Sequence, residues 1–277
     1  NEQDALQDTS AAYLGHLLAR AGESARAHAL LSEWAQDPDN RSSRRALVDL
    51  LDEEDRLAEA VTTLQDQAAG GDWRVWFDLG IVYQERLNDE AEALDAFHKA
   101  IEAGGAGASL FSRFSGAAVA TGALADLRSV SEEIVSRSPE GSDMWVASGR
   151  MLDHAGDQTG AIARLRQALA LGAGYRAAVP LARILLRQAN GRREAEAVLR
   201  DSLANTKGAR KCALARELAE LLIHAGDEGS ANETLDLAIA ANPRCSCCQV
   251  LRGDIANRRA DISAATTAYR AALAVDP

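Results

Sequence analysis

Residues 76–100 read WFDLGIVYQERLNDEAEALDAFHKA. Trp76, Leu79, Gly80 and Tyr83 recur at the i, i+3, i+4, i+7 spacing of one helix face. Ala93, Phe97 and Ala100 repeat that spacing further on. Asn88 lies between the two runs, and asparagine tolerates the left-handed backbone that a tight turn demands. The stretch therefore reads as two helices joined by a short turn. Ala93 is small because the helices must approach closely where the second begins, and Phe97 lies one turn further along the same face.

The mark at Ala93 belongs to a ruler. Ala27, Ala60, Ala93, Leu127, Ala161, Ala195, Ala231 and Ala265 follow one another at spacings of 33, 33, 34, 34, 34, 36 and 34 residues. Four residues after each mark stand Leu31, Leu64, Phe97, Ser131, Leu165, Leu199, Leu235 and Tyr269. Five residues before it stand Gly22, Asp55, Asn88, Gly122, Gly156, Asn190, Gly226 and Ala260, mostly turn-forming types. A period of this size is the signature of stacked helix-turn-helix units.

Residues 76–100 closely resemble the tetratricopeptide (TPR) pattern W-x2-L-G-x2-Y…A-x3-F-x2-A, with one extra residue in the turn. Trp145, Gly149, Gly156, Ala161 and Ala168 repeat it; Ala11, Leu14, Gly15, Leu18 and Gly22 open it; Gly253, Ala265, Tyr269, Ala272 and Pro277 close it. The resemblance implies an all-α, right-handed α-solenoid of about eight TPR repeats, read as one superhelix over 1–277. The repeats fall near 8–40, 41–72, 73–106, 107–140, 141–174, 175–210, 211–244 and 245–277. Three departures stand out. Leu127 and Ser131 should make repeat four pack less regularly. Pro180 places the start of its helix near Arg176, because proline fits a first turn. Asn205-Thr206-Lys207-Gly208 should lengthen the following loop.

Composition agrees. A single globular core of 277 residues would be near its practical limit, which a solenoid avoids because each unit contacts only its neighbours. Only 4% of residues are aromatic, which suits close helix stacking. The net charge of −11 disfavours nucleic acid and anionic membrane surfaces. No run is long and apolar enough for insertion into a bilayer. The chain starts at Asn1 and stops at a repeat end with no polar capping helix, so it is expected to be part of a longer or processed chain.

Chemistry-bearing residues are few. Cys245, Cys247 and Cys248 crowd together, and Cys212 begins the equivalent helix one repeat earlier, so the four thiols are expected to lie near one another. Three readings stay open: buried small residues, a disulfide from Cys212 to Cys245 or Cys247, and a weak candidate metal or redox site. The spacing does not match the C-x2-C pairs of zinc ribbons. The five histidines lack ligand spacing. Gly104-Gly105-Ala106-Gly107 has no preceding strand and no Lys-Ser/Thr, so it is an inter-repeat loop. No enclosed constellation of acid, base and nucleophile is visible, and neither an enzymatic role nor a cofactor is expected.

In TPR arrays the first helices line a concave, ligand-binding face. The resemblance puts Arg45, Asp49, Phe77, Asp78, Ile81, Arg150, Arg183, Arg187, Arg216, Glu220, Asp254 and Arg258 there. Arg150, Arg183, Arg187 and Arg216, with Phe77 and Asp78 in an earlier repeat, are the candidate partner-binding residues. The arginine row suits an acidic protein or peptide segment, or an anionic polysaccharide; intramolecular pairing such as Arg216 with Glu220 is the competing reading. The Lys/Asn carboxylate clamp of chaperone-binding TPR modules is missing. The expected function is a non-catalytic interaction scaffold of bacterial type. The resemblance extends to periplasmic scaffolds of exopolysaccharide export and to cytoplasmic adaptors of envelope assembly, leaving both compartments open. The alternative is a thiol- or metal-responsive regulator built on the cysteine cluster.

Overall fold

The computed structural model describes residues 2–275, which form sixteen α-helices, with no strand among the described residues. They come in consecutive pairs: α1 (Glu2–Arg20) with α2 (Ser24–Trp34), α3 (Arg41–Glu53) with α4 (Leu57–Ala68), α5 (Trp73–Glu85) with α6 (Glu90–Glu102), and α7 (Ala108–Thr121) followed by α8 (Leu124–Arg137). Then come α9 (Ser142–His154) with α10 (Gln158–Ala170), α11 (Tyr175–Leu186) with α12 (Arg192–Asn205), α13 (Ala209–His224) with α14 (Glu228–Ala241), and α15 (Ser246–Arg258) with α16 (Ile262–Leu273). The chain divides into two compact units, Asn1–Asp126 and Leu127–Pro277, and the division falls in the first turn of α8. Pro277, expected to close the last repeat, lies outside the described residues.

The turns carry the backbone that the sequence anticipates. Gly22, Asp55, Asn88, Gly122, Gly156, Gly226 and Ala260 have φ between 51° and 80°. Asn190 does not share that conformation. Ala260 bears a Cβ at φ 59°, a region that costs an L-residue about 1–2 kcal/mol. Replacing Ala260 by Gly is therefore expected to stabilise unit Leu127–Pro277 by about 1 kcal/mol. An unchanged or lowered denaturant midpoint would contradict that account. Aspartates secure several helix starts: Asp72, Asp89, Asp157, Asp227 and Asp261 each accept a backbone N–H from their own first turn.

The marks are packing points. Ala27, Ala93, Leu127, Ala161, Ala195 and Ala231 are fully buried. The glycine of the first helix is explained by the large residue of the second. A Cβ on Gly80 would stand 2.4 Å from the Phe97 ring, and one on Gly253 would stand 2.6 Å from Tyr269. In the first unit the Phe97 ring also meets Phe77, centroids 5.8 Å apart and tilted. In the second, Leu165, Leu181, Leu199, Leu218 and Leu235 fill the space between the marks.

Three local expectations can be followed in the helices. The helix bearing Pro180, α11, starts at Tyr175, one residue from the expected Arg176; Pro180 is its sixth residue and so costs a ladder hydrogen bond to the Arg176 carbonyl. Asn205 is the last residue of α12, leaving Thr206, Lys207 and Gly208 as the loop; the added length in this region goes into α12 and the 16-residue α13. Ser131 is fully buried and donates to the Arg128 carbonyl at 2.8 Å, satisfying its hydroxyl at a position that otherwise takes a large apolar group.

In the first unit, α1 caps α3 from outside. Asp8 is buried and accepts from the backbone N–H groups of Ser42 (2.8 Å) and Ser43 (2.9 Å), at the positive end of α3. Burial pushes its carboxyl up, but the hydrogen bonds from Ser43 and Ser42 outweigh it and hold the carboxyl below its usual value. A carboxyl lowered by folding contributes stability that is complete above its unfolded value near 3.8 and fades as pH falls through the folded value. Asp8→Asn, which removes the charge at the positive end of α3, is expected to cost about 1–2 kcal/mol at neutral pH, and to remove that acid-dependent increment. Equal loss on acidification in parent and variant would exclude Asp8 as its source.

The two terminal pairs differ from the internal ones. Ten or eleven residues before the mark, Leu50, Val82, Ala117, Met151, Ile184, Leu221 and Ile255 are buried, whereas Leu17 on α1 is 56% exposed. Eight after it, Ala35, Ala68, Ile101, Val135 and Leu203 are buried, whereas Leu273 on α16 is 64% exposed.

Candidate functional site

Two of the expected groove residues lie inside the first unit. Phe77 is 4% exposed and Asp78 is 5% exposed. Asp78 answers Arg44, a buried guanidinium whose neighbour Arg45 is the one the sequence pattern points to. Arg44 donates to Asp78 Oδ2 from Nε at 3.1 Å and Nη2 at 2.9 Å. Its Nη1 donates to the carbonyls of Asp37 (3.0 Å) and Pro38 (2.8 Å). Arg41 donates from Nε to Asp78 Oδ1 at 2.7 Å and stacks over the Phe77 ring at 5.0 Å. The expectation that Phe77 and Asp78 present themselves to a partner is corrected: both are occupied in joining α3 to α5.

The open surface of this unit is a cleft of about 260 Å³ between α1 and α3. Ala12, Gly15, Ala19, Leu31, Ala46 and Leu50 make its apolar floor; Tyr13, His16, Arg45, Asp49 and Glu53 stand at its rim. Tyr13 is 70% exposed, and Leu6, Leu14 and Leu17 extend an exposed apolar face along α1. Small residues open the floor here, because the alanines on facing helices leave room that larger side chains would fill, while Gly15 lets Leu31 pack against α1. Arg45 and Asp49 are shared with a second cleft, between α3 and α5, that Val48, Ile81, Glu85 and Arg86 also line. Arg86 is itself tied to Asp49 and Asp52.

The arginine row of the second unit is mostly neutralised from within. Arg187 pairs with Asp153. Arg183 donates from Nε to Glu217 at 3.1 Å, and Arg216 reaches Glu217 at 3.0 Å and Glu220 at 3.9 Å. Glu217, at 12% exposure, is a hub absent from the sequence-derived set; its signal is a glutamate next to Arg216 and one repeat after Arg183. Arg150 is exposed and makes no ion pair among the described residues. Of the histidines, His28 of α2 pairs with Glu54, just past α3, at 2.8 Å, and His224 meets the Glu220 carbonyl one turn back in its own helix.

The thiols do converge. Cys212, Cys245 and Cys248 are buried, with their Sγ atoms all within 4.8 Å of one another. Cys247 is exposed, its Sγ 3.4 Å from that of Cys245. All four are free thiols.

Paired helices, a buried small mark, a turn in the left-handed region and a glycine under the large side chain of the partner helix make a helix-turn-helix repeat that resembles the tetratricopeptide pattern. Three solved structures align with most of this chain. A tetratricopeptide repeat protein from Parabacteroides merdae shares 15% identity at a TM-score of 0.47, over 98% of this chain and 94% of that one. MamA shares 13% at 0.43, over 70% and 92%. YrrB, described as a TPR protein with an unusual peptide-binding site, shares 11% at 0.39, over 77% and 92%. No family model matches the chain, and no curated protein matches it. No helix among the described residues is long and apolar enough to cross a membrane.

Proposed function

We propose that the protein is a non-catalytic scaffold that holds a segment of another protein in the cleft between α1 and α3. The observation that supports this is the cleft itself: an apolar floor with Tyr13 exposed beside it and both signs of charge at the rim. Such a surface suits a peptide that inserts apolar side chains and sets its register by polar contacts to Arg45, Asp49 and Glu53. An acidic peptide held by the arginine row has less behind it, because Asp153, Glu217 and Glu220 already occupy three of the four guanidiniums.

Selection of peptides from a displayed random library tests the reading, since it samples many sequences at once and needs no named partner. The parent should enrich peptides bearing two or more large apolar residues. Ala46→Arg, which fills the floor, should not bind the same peptides, while Thr62→Arg, at an exposed position of α4, should. Peptides that bind parent and Ala46→Arg equally would place recognition elsewhere.

A further inference from the structure

We infer that Cys212, Cys245 and Cys248 form a binding site for a soft, closed-shell cation, zinc(II) or copper(I), which clamps α13 to α15. Three sulfur atoms mutually within 4.8 Å are already near the arrangement a metal needs. A metal–sulfur bond of about 2.3 Å sets sulfurs about 3.8–4.0 Å apart in tetrahedral or trigonal geometry. Closing the triangle therefore takes a contraction of about 1 Å or less along its longest possible edge.

The placement follows from the repeat. Cys212 lies in the first turn of α13, Cys245 is the residue preceding α15, and Cys248 lies in its first turn. The two helices pack side by side. Their N-termini carry the positive ends of their dipoles, which favour thiolate over thiol. Cys245 stands at the N-cap position of α15 without a side-chain capping hydrogen bond, and its sulfur lies beside Cys248 in the first turn. Asn242 offers Nδ2 to Cys212 Sγ at 3.5 Å, the kind of outer contact that orients a ligand sulfur.

The donor set selects the metal class. Three sulfurs meet without a carboxylate or imidazole among them, and such sites favour zinc, copper(I) or iron–sulfur centres over hard cations. Cys247 decides the coordination number. Its sulfur, exposed and 3.4 Å from that of Cys245, lies outside the group of three and has to turn inward to be the fourth ligand of tetrahedral zinc, whereas copper(I) is served by the three buried sulfurs alone. Binding replaces each S–H bond by a sulfur–metal bond and releases one proton per sulfur, four for zinc and three for copper(I), with no change of oxidation state. This site lies on α13 and α15 and does not rest on the cleft between α1 and α3.

The test uses the full chain, reduced with a non-thiol reductant under nitrogen and freed of metal by a chelator. Zinc(II), cobalt(II) as its spectroscopic substitute, and copper(I) are titrated separately. One equivalent should saturate a sulfur-to-metal charge-transfer band, with three or four protons released and the thermal midpoint raised. Cys248→Ser should abolish the band for every cation. Cys247→Ser should abolish tetrahedral cobalt and zinc binding but spare copper(I); loss of copper(I) as well makes Cys247 a ligand in both. Should Cys248→Ser fail to fold, alkylation decides: zinc must protect Cys247 from iodoacetamide in the parent. No saturation at one equivalent in the reduced parent, or a band that survives loss of Cys212 and Cys248, overturns the site.

Discussion

Replacing Asp78 by Ala should lower the stability of unit Asn1–Asp126 by about 3–5 kcal/mol. The size follows from what is left behind. Arg44, 1% exposed, keeps its charge but loses the carboxylate that accepts from its Nε and Nη2. The carbonyls of Asp37 and Pro38 still accept from Nη1, yet no anion remains to balance the charge. Arg41, 41% exposed, can turn to water at little cost. The physical argument is about an orphaned charge, not a lost bond, and this makes a second arm decisive. Asp78→Leu combined with Arg44→Met removes both charges and should recover most of the loss, because matched apolar replacement of a buried pair is often neutral or better. Denaturant midpoints of the three proteins check this. A double variant as weak as Asp78→Ala would mean that the pair organises α3 and α5 in some way beyond electrostatics.

The Phe97–Gly80 contact carries the next largest effect. Phe97 is fully buried, and Phe97→Ala is expected to cost about 3–5 kcal/mol through lost transfer energy and the cavity left behind. Gly80→Ala alone puts a methyl group 2.4 Å from the same ring and should cost about 1–3 kcal/mol by overpacking. The two losses should not add. With the ring gone, the new methyl enters the vacated space and gains helix propensity, so Gly80→Ala should become neutral or favourable in the Phe97→Ala background. Strict additivity would show that the glycine serves something other than this ring.

Much of the fold is legible in the sequence because its information is local or one repeat away. The marks, the large residue four later and the turn residue five earlier each concern contacts along one helix or between two consecutive ones. Those contacts recur from repeat to repeat, so chance agreement is averaged out. The failures have a common cause. Arg44 and Arg45 are adjacent, and about 100° of helix rotation puts one in the core and the other at a cleft rim. Charge is usually exposed, and that tendency points both Arg45 and Asp78 to the open face, although Asp78 turns inward. Glu217 escapes a search for ion pairs within one helix, such as Arg216 with Glu220, because the stronger partner of Arg183 sits one repeat on.

From the order of residues came the helix pairs, the turn positions, the close-packed marks and the neighbourhood of the four cysteines, since periodic apolar contacts depend on spacing alone. Folding in three dimensions chose which charges are buried, which arginines are spent on internal carboxylates, and which thiols turn inward. It also made the cleft between α1 and α3. Those outcomes depend on the rotation of each helix about its axis and on side-chain reach across neighbouring helices, distances of a few ångströms that a repeat of about 34 residues does not encode.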